Sequence, residues 1–170
     1  MSMNGQVIGK TMPHGYAGSY ARQPDMIVNT HPAGGTGSIP FGAALTYDGN
    51  KNVVVFGTQS DNKFIGVAVR EVKSAMDYLN QNVGVYAPGE AVPVFMRGAV
   101  NVFCQRSTPS LGGAVYVRTA ANGTFPNAVV GGFEAEADDG KTVMLGNCQW
   151  AGPADENGIA ELRILTMANA

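Results

Sequence analysis

Charged side chains are scarce in this 170-residue chain. Only 14% of the residues are charged, 13 acidic against 11 basic, which gives a formal net charge of −2. Ordinary soluble domains carry roughly 25% charged residues. We therefore expect no basic groove that follows nucleic-acid phosphates. A surface with so few charges is also unfavourable for a soluble monomer, and it favours a protein whose surface is covered by partners. The alternative is a small, low-charge domain rich in alanine.

Residues able to carry out catalysis or bind metal are equally few. The only histidines are His14 and His31, and the only cysteines, Cys104 and Cys148, lie in strand-like apolar contexts. No CxxC, HExxH or serine nucleophile-elbow pattern occurs. We therefore expect that the protein is not an enzyme and that it has no metal site and no cofactor. A cysteine–histidine enzyme is the alternative, and it requires the N-terminal stretch to fold over a strand-borne thiol.

Long hydrophobic runs are absent as well. The N-terminal stretch lacks the apolar run of a secretory signal, and 18 consecutive apolar residues occur nowhere, so we expect neither export nor a membrane helix. The two cysteines are then expected to be reduced and packed as small hydrophobic residues. A disulfide between them remains the alternative if their strands are neighbours.

Three short motifs suggest binding sites but have simpler interpretations. "GGTGS" at 34–38 lacks the Lys-Ser/Thr ending of a phosphate loop, so a hinge is favoured. "EAEADDGK" at 134–141 lacks the full ligand spacing of a calcium loop, so a solvated hairpin tip is favoured. "NGT" at 122–124 matches a glycosylation acceptor, but without export it is a turn.

Valine, glycine and proline are what the chain has in abundance. It contains 19 Val against 6 Leu and 6 Ile, with 23 Gly and 9 Pro. Valine fits a pleated sheet better than a helix, and glycine and proline favour tight turns. From residue 39, apolar runs of four to eight residues alternate with turn signals. The pattern predicts an all-β body, a sandwich or jelly roll with nine or ten strands.

Several local elements follow from this pattern. "DGNKN" at 48–52 predicts a turn between two strands, and "APGE" at 87–90 predicts a type II turn. Arg97 and Gly98 predict a hairpin between "AVPVFM" and "AVNVFC", and Asn122-Gly123 predicts another. Pro93 predicts an edge or bulged strand. The window "EVKSAMDYLNQN" at 71–82 is the only one with helical spacing.

The N-terminal part differs from the body. Residues 1–38 have no clean periodicity, and prolines at 13, 24 and 32 break any helix. We interpret 1–38 as an extended arm that lies on another surface, and 39–170 as the body. The aromatic residues Trp150, Tyr86, Tyr116 and Phe125 are candidates for a sugar-binding platform, so a glycan-binding jelly-roll module is the alternative function.

Three phrases in order resemble the capsid cement, or decoration, proteins of tailed bacteriophages. They span about residues 10–118. The first, "PHGYAGSYARQPDMIVNT", carries a Pro-x-Gly-aromatic-Ala-Gly opening. The second is "IPFGAAL". The third is "FIGVAVR" followed by "YAPGEAVPVFMRGAVNV". Arg22 departs from the resemblance, because the family often has an acidic residue there, and the insert "EVKSAMDYL" is longer than expected.

The resemblance implies a β-sandwich or jelly-roll body with an N-terminal arm that binds the outside of a phage head. Its partners would be the major capsid protein and further copies of itself, as a homotrimer or in some cases a dimer. It implies a virion surface location after synthesis in the host cytoplasm, with no direct nucleic-acid or membrane contact. The candidate interface residues are Pro13, His14, Tyr16, Tyr20, Arg22, Met26 and Ile27.

The low charge generates a prediction about the protein in solution. We expect the purified protein to have the mass of a trimer or a dimer in analytical ultracentrifugation, because self-association covers a surface that few charges keep apart. A monomer across the accessible concentration range would contradict the covered-surface interpretation.

Overall fold

In the computed structural model, residues 13–60, 62–71 and 84–167 are described, and there the chain is all β, as predicted. No helix long and apolar enough to cross a membrane occurs among these residues. The predicted helical window lies mostly outside them. The described ranges contain twelve strands, which are β1 (Tyr20–Pro32), β2 (Ile39–Pro40), β3 (Ala44–Tyr47), β4 (Val53–Val55), β5 (Gly66–Ala68), β6 (Val85–Tyr86), β7 (Ala91–Phe103), β8 (Tyr116–Arg118), β9 (Phe133–Glu134), β10 (Thr142–Met144), β11 (Cys148–Trp150) and β12 (Ile159–Ile164).

The strands form one large sheet and two smaller ones. The large antiparallel sheet has the order β11-β12-β7-β5-β3-β4, with β1 also paired to β7. The smaller sheets are β10-β8-β9 and the pair β2-β6. Phe95 and Trp150 of the large sheet share one buried cluster with Val117 and Phe133 of the three-stranded sheet. The two sheets therefore enclose a common core, and the jelly-roll connectivity stays a prediction.

The surface on which residues 20–32 lie is the chain's own β7. The extended conformation expected of this stretch is present, but as strand β1, antiparallel to β7 from Tyr20↔Val100 to Pro32↔Ala91. Removing residues 1–38 would strip a 13-residue strand from the large sheet. We therefore expect a chain without these residues to be unfolded or severely destabilised.

β1 lies along both edges of β7 in turn. Gly18, just before β1, donates its N–H to the Asn101 carbonyl and accepts from the N–H of Arg70, which follows β5. The start of β1 is therefore on the β5 edge of β7. Further along, β7 pairs with β5 and with β1 at the same residue, Phe95, so this part of β1 is on the opposite edge. The chain crosses β7 between Arg22 and Ile27, where the register shifts.

Gly98 makes this crossing possible. Its φ is +109°, and a Cβ there would lie 2.0 Å from the carbonyl oxygen of Asp25. Only a residue without a side chain permits so close an approach. The hairpin predicted at Arg97 and Gly98 is wrong, because β7 runs without interruption through both residues. The glycine that signalled a turn is instead the position where another segment passes over the strand.

Two other local predictions fail in part or whole. The edge half of the Pro93 prediction is wrong, because β7 is interior; the bulged alternative agrees with the register shift of β7 against β1 between Ile27↔Arg97 and Val28↔Phe95. The Pro93 carbonyl accepts from the Val69 N–H, beyond the end of β5. Asn122 does not form a two-residue hairpin: its side chain accepts from the Thr124 N–H at 3.0 Å and donates to Asp138 at 2.9 Å. The pairing of β8 with β9 encloses a longer loop, 119–132.

The remaining turn predictions are confirmed. β3 and β4 pair as a hairpin in which the Asp48 carboxylate accepts backbone N–H groups of Asn50 and Asn52. In "APGE", Gly89 has φ +82° and the Glu90 N–H donates to the Ala87 carbonyl at 3.1 Å, as in a type II turn.

The cysteine prediction is also confirmed. Both thiols are free and buried. Burial raises the pKa of Cys148 to about 12 and also raises that of Cys104. Both are therefore protonated near neutral pH and unreactive as nucleophiles.

We predict that Gly98→Ala lowers the free energy of unfolding by about 3–5 kcal/mol, because it combines left-handed strain with overlap onto the Asp25 carbonyl. Gly89→Ala is the matched control, since its φ is +82° but nothing lies within 4 Å of the added Cβ. That change should cost about 1–2 kcal/mol. Urea unfolding measures both, and equal losses would show that the crossing does not depend on the close approach.

Candidate docking surface

The seven predicted interface residues fall into two groups. Four of them are exposed, and three are half-buried against the protein itself. Tyr16, at 64% relative accessibility, is the most prominent exposed apolar side chain near the start of the described chain. Met26 packs against the main core cluster. The exposed group is Pro13, His14, Tyr16 and Arg22, and the half-buried group is Tyr20, Met26 and Ile27.

Backbone hydrogen bonds fasten the segment before β1 to the body. The His14 N–H donates to Asp155 Oδ2 at 2.7 Å, and the His14 carbonyl accepts from Asn101 Nδ2 at 2.7 Å. The Asn101 N–H donates to the Ser19 carbonyl. Burial alone would raise the pKa of Asp155, but the N–H groups that it accepts, His14 among them, lower it overall. The segment is thus held on the body before any partner arrives.

The two tyrosines of this region have different surroundings. The guanidinium of Arg70 lies 4.1 Å from the ring centre of Tyr16, a cation–π contact that fixes an otherwise exposed ring. The Tyr20 ring instead faces Phe95 at 5.9 Å, and its hydroxyl donates to Glu71 at 2.6 Å. Burial, followed by the bond to Glu71, raises the pKa of Tyr20. Tyr16 is therefore the tyrosine that a partner can contact.

Arg22 joins the crossing segment to β12. Its Nε donates to both carboxylate oxygens of Glu161, at 2.8 and 3.0 Å, and the Nε of Arg163 donates to one of them at 3.3 Å. Burial would raise the pKa of Glu161, but the bonds from Arg22 and Arg163 outweigh it and lower the pKa. The alternation in "IAELRIL" already places Glu161 and Arg163 on one face; only the crossing brings in Arg22.

A cleft lies beside this ion pair. It has a volume of about 300 Å³ and is bounded by the crossing segment and the end of β12. Ala99 pairs with Arg22 on one side and with Arg163 on the other, so the three residues form a row across three strands. The small alanine between two long side chains leaves the space open. The lining also includes Pro24, Gly98, Ile164 and Leu165.

A second ion pair is enclosed in the core. Arg118 and Glu134 are fully buried and bond through two contacts, Nε–Oε1 at 2.5 Å and Nη2–Oε2 at 3.1 Å. Arg118 also contacts Asp138 at 2.9 Å. The hydrogen bond from Asn122, which has the largest effect, and the bond from Arg118 lower the pKa of Asp138 below its ordinary value. The expectation that "EAEADDGK" is only a solvated tip is therefore wrong for Glu134.

The other motifs do not form reactive sites. No cluster of potential metal ligands exists among the described residues. The Gly34 N–H of "GGTGS" donates to the Val53 carbonyl. His31 contacts Tyr47, with ring centres 5.2 Å apart. Within the described ranges, neither histidine bonds to a cysteine.

Sequence reasoning missed most of the exposed apolar side chains. β10 is one of the two outer strands of the three-stranded sheet, and Val143 and Met144 on it are exposed. The Lys141 carbonyl accepts from the Thr119 N–H and the Leu145 N–H donates to the Val115 carbonyl, on either side of β8, so the backbone of Met144 faces the open edge. Such an edge offers hydrogen bonds to an incoming strand. The exposed set is Tyr16, Phe103, Leu111, Val129, Val143, Met144, Leu165 and Met167.

An all-β body with buried thiols and an exposed apolar surface fits a structural, surface-binding protein. The chain belongs to the structural cement protein family (E217 gp24/Pam3 gp6), whose model matches residues 4–165. It is also similar to a chain in the solved capsid of Myoviridae phage XM1, with a TM-score of 0.70, 14% identity, and coverage of 98% of this chain and 100% of that chain. At that identity the likeness shows the fold. No curated protein matches the sequence.

Family membership gives the protein the structural role of a phage cement protein. The resemblance seen in the sequence is thereby confirmed. The family is one of structural proteins, in agreement with the expectation of no enzyme.

We predict that Arg22→Gln lowers the thermal midpoint near neutral pH, because Glu161 loses its closest cation. The pKa of Glu161 is lower in the folded protein than its ordinary 4.5, so this stabilisation is present above pH 4.5 and is lost as the pH falls through the folded value. The difference in thermal midpoint between wild type and Arg22→Gln should therefore become smaller as the pH is lowered into the acid range. Calorimetry across a pH series measures it.

Arg97→Gln is the control for that experiment. Arg97 pairs with Asp25 at 3.2 Å, but their side chains are 45% and 73% exposed. Exposed pairs contribute little to stability. A shift as large as that of Arg22→Gln, with the same pH dependence, would contradict a specific role for Glu161.

Proposed function

We propose that the protein is a cement protein that binds the outside of the phage head and bridges neighbouring major capsid proteins. It acts as a homotrimer, with a dimer as the alternative, and is made in the host cytoplasm before it joins the capsid. The observation that carries the proposal is the family match over residues 4–165. The net charge of −2 agrees with protein partners and not with nucleic acid.

The surface supports attachment at several points. The fastened segment of residues 13–19 presents Tyr16, and the open edge of β10 presents Met144. A segment that is already ordered loses less conformational entropy on docking than a flexible one. An oligomer that engages several capsid subunits converts modest contacts into tight attachment. A protein that binds the assembled shell and not its separate subunits stabilises the shell. The gain is about 2.7 kcal/mol per site when the concentration of free protein is 100 times the dissociation constant.

The glycan-binding alternative loses its main residues. Trp150 and Tyr86 are 1% and 2% exposed, so their rings are unavailable to stack on a sugar. Phe125 and Tyr116 are half-buried, and Phe125 already has the guanidinium of Arg106 4.4 Å from its ring centre. Trp150→Ala would therefore open a cavity in the core, and a resulting loss of glycan retention would report unfolding.

We predict that the purified protein co-sediments with expanded heads that lack it, in near-stoichiometric ratio to capsid subunits. Tyr16→Ala should weaken this binding about tenfold, because exposed aromatic anchors dominate interfaces. Tyr16→Phe is the matched control, since it keeps the ring that Arg70 covers. Protein left wholly in the supernatant would overturn the proposed function. Wild-type affinity in Tyr16→Ala would remove Tyr16 from the interface.

A further inference from the structure

We propose that the cleft between Arg22 and Arg163 binds the carboxylate of an aspartate or glutamate side chain of the major capsid protein. The inference rests on the proposed function and assigns it a charged contact. Its basis is the row Arg22–Ala99–Arg163, in which two arginines flank a small residue across three paired strands.

The hydrogen bonds leave both arginines with donors to spare. Arg22 and Arg163 each use Nε to bond to Glu161. Among the described residues, no partner bonds to the Nη atoms of either side chain. A guanidinium has five N–H donors in a planar fork that fits a carboxylate. The two side chains are 66% and 40% exposed, so a partner can reach them.

The local charge is unbalanced. Around the cleft, Glu161 is shared by two arginines, whereas Asp25 has its own partner in Arg97. Three positive charges against two negative leave one positive charge, on a chain whose net charge is −2. An incoming carboxylate would neutralise this excess. A basic side chain would be repelled, and a neutral one would leave the Nη donors without a charged acceptor.

The site is held in place before binding. Glu161 lies on β12, is 6% exposed, and anchors both guanidinium groups from below. Because the arginines are already oriented, little conformational entropy is lost when a carboxylate enters. Ile164 and Leu165 form an apolar wall, which lowers the local dielectric and strengthens the charge pair. The volume of about 300 Å³ accommodates one side chain and its carboxylate.

Arg163→Gln tests the site with the least disturbance, because the closer Arg22–Glu161 pair remains. We expect wild-type protein to bind expanded heads and the variant to bind about 30-fold or more weakly, with a smaller fall in the unfolding midpoint than Arg22→Gln produces. Lys51→Gln is the matched control: it also removes one positive charge, but from the exposed β3–β4 turn. It should bind within about twofold of wild type.

Arg163→Lys keeps the inference testable if the glutamine variant is unstable. Lysine retains the charge but lacks the planar fork that makes two parallel hydrogen bonds to a carboxylate. We therefore expect Arg163→Lys to bind expanded heads about tenfold more weakly than wild type does. Wild-type affinity in both Arg163 variants, or an equal loss in Lys51→Gln, would overturn the proposed site while leaving the cement function in place. A smaller solution mass for Arg163→Gln would overturn it in favour of contact between copies. Failure of wild type to bind heads would overturn the proposed function itself.

Discussion

The close passage of the Asp25 backbone over Gly98 is the constraint on which the large sheet depends. β7 runs through the middle of this sheet, and its two edges are shared among β1, β5 and β12. Because β1 changes edge at Gly98, one strand supports β7 on both sides and ties its two halves together. A side chain at Gly98 would displace the crossing and, with it, the pairing of β1 on at least one edge.

The same crossing creates the charged part of the surface. It carries Arg22 to Ala99, opposite Arg163, and over the buried carboxylate of Glu161. The resemblance drawn from the sequence marked Arg22 as a departure, since related proteins often have an acidic residue there. In this chain the departure is compensated within the fold, because Glu161 lies on the neighbouring strand. The Arg22 side chain is exposed to solvent, and its guanidinium is nevertheless held by a buried carboxylate of the body.

The sequence was sufficient for the fold class and for turns specified by local chemistry. Asp48 and Gly89 were correctly interpreted because an Asx contact and a positive φ are decided within a few residues. Gly98 was misinterpreted because a glycine that admits a distant backbone carries the same local signal as a turn glycine. Glu134 was misinterpreted because its partner, Arg118, is on another strand. The cleft could not be predicted, since Arg22 and Arg163 meet only through the crossing.

The two arginine–glutamate systems show why one is assigned to stability and the other to binding. Arg118 and Glu134 are both fully enclosed, and the pair bonds through two contacts with Asp138 and Arg106 around it. Desolvating those charges was costly, and removal of either would strand the other in the core. At Glu161 only the carboxylate is buried, while both cations keep donors exposed to solvent. The enclosed pair is out of reach of a partner, whereas the exposed arginines Arg22 and Arg163 can bind one.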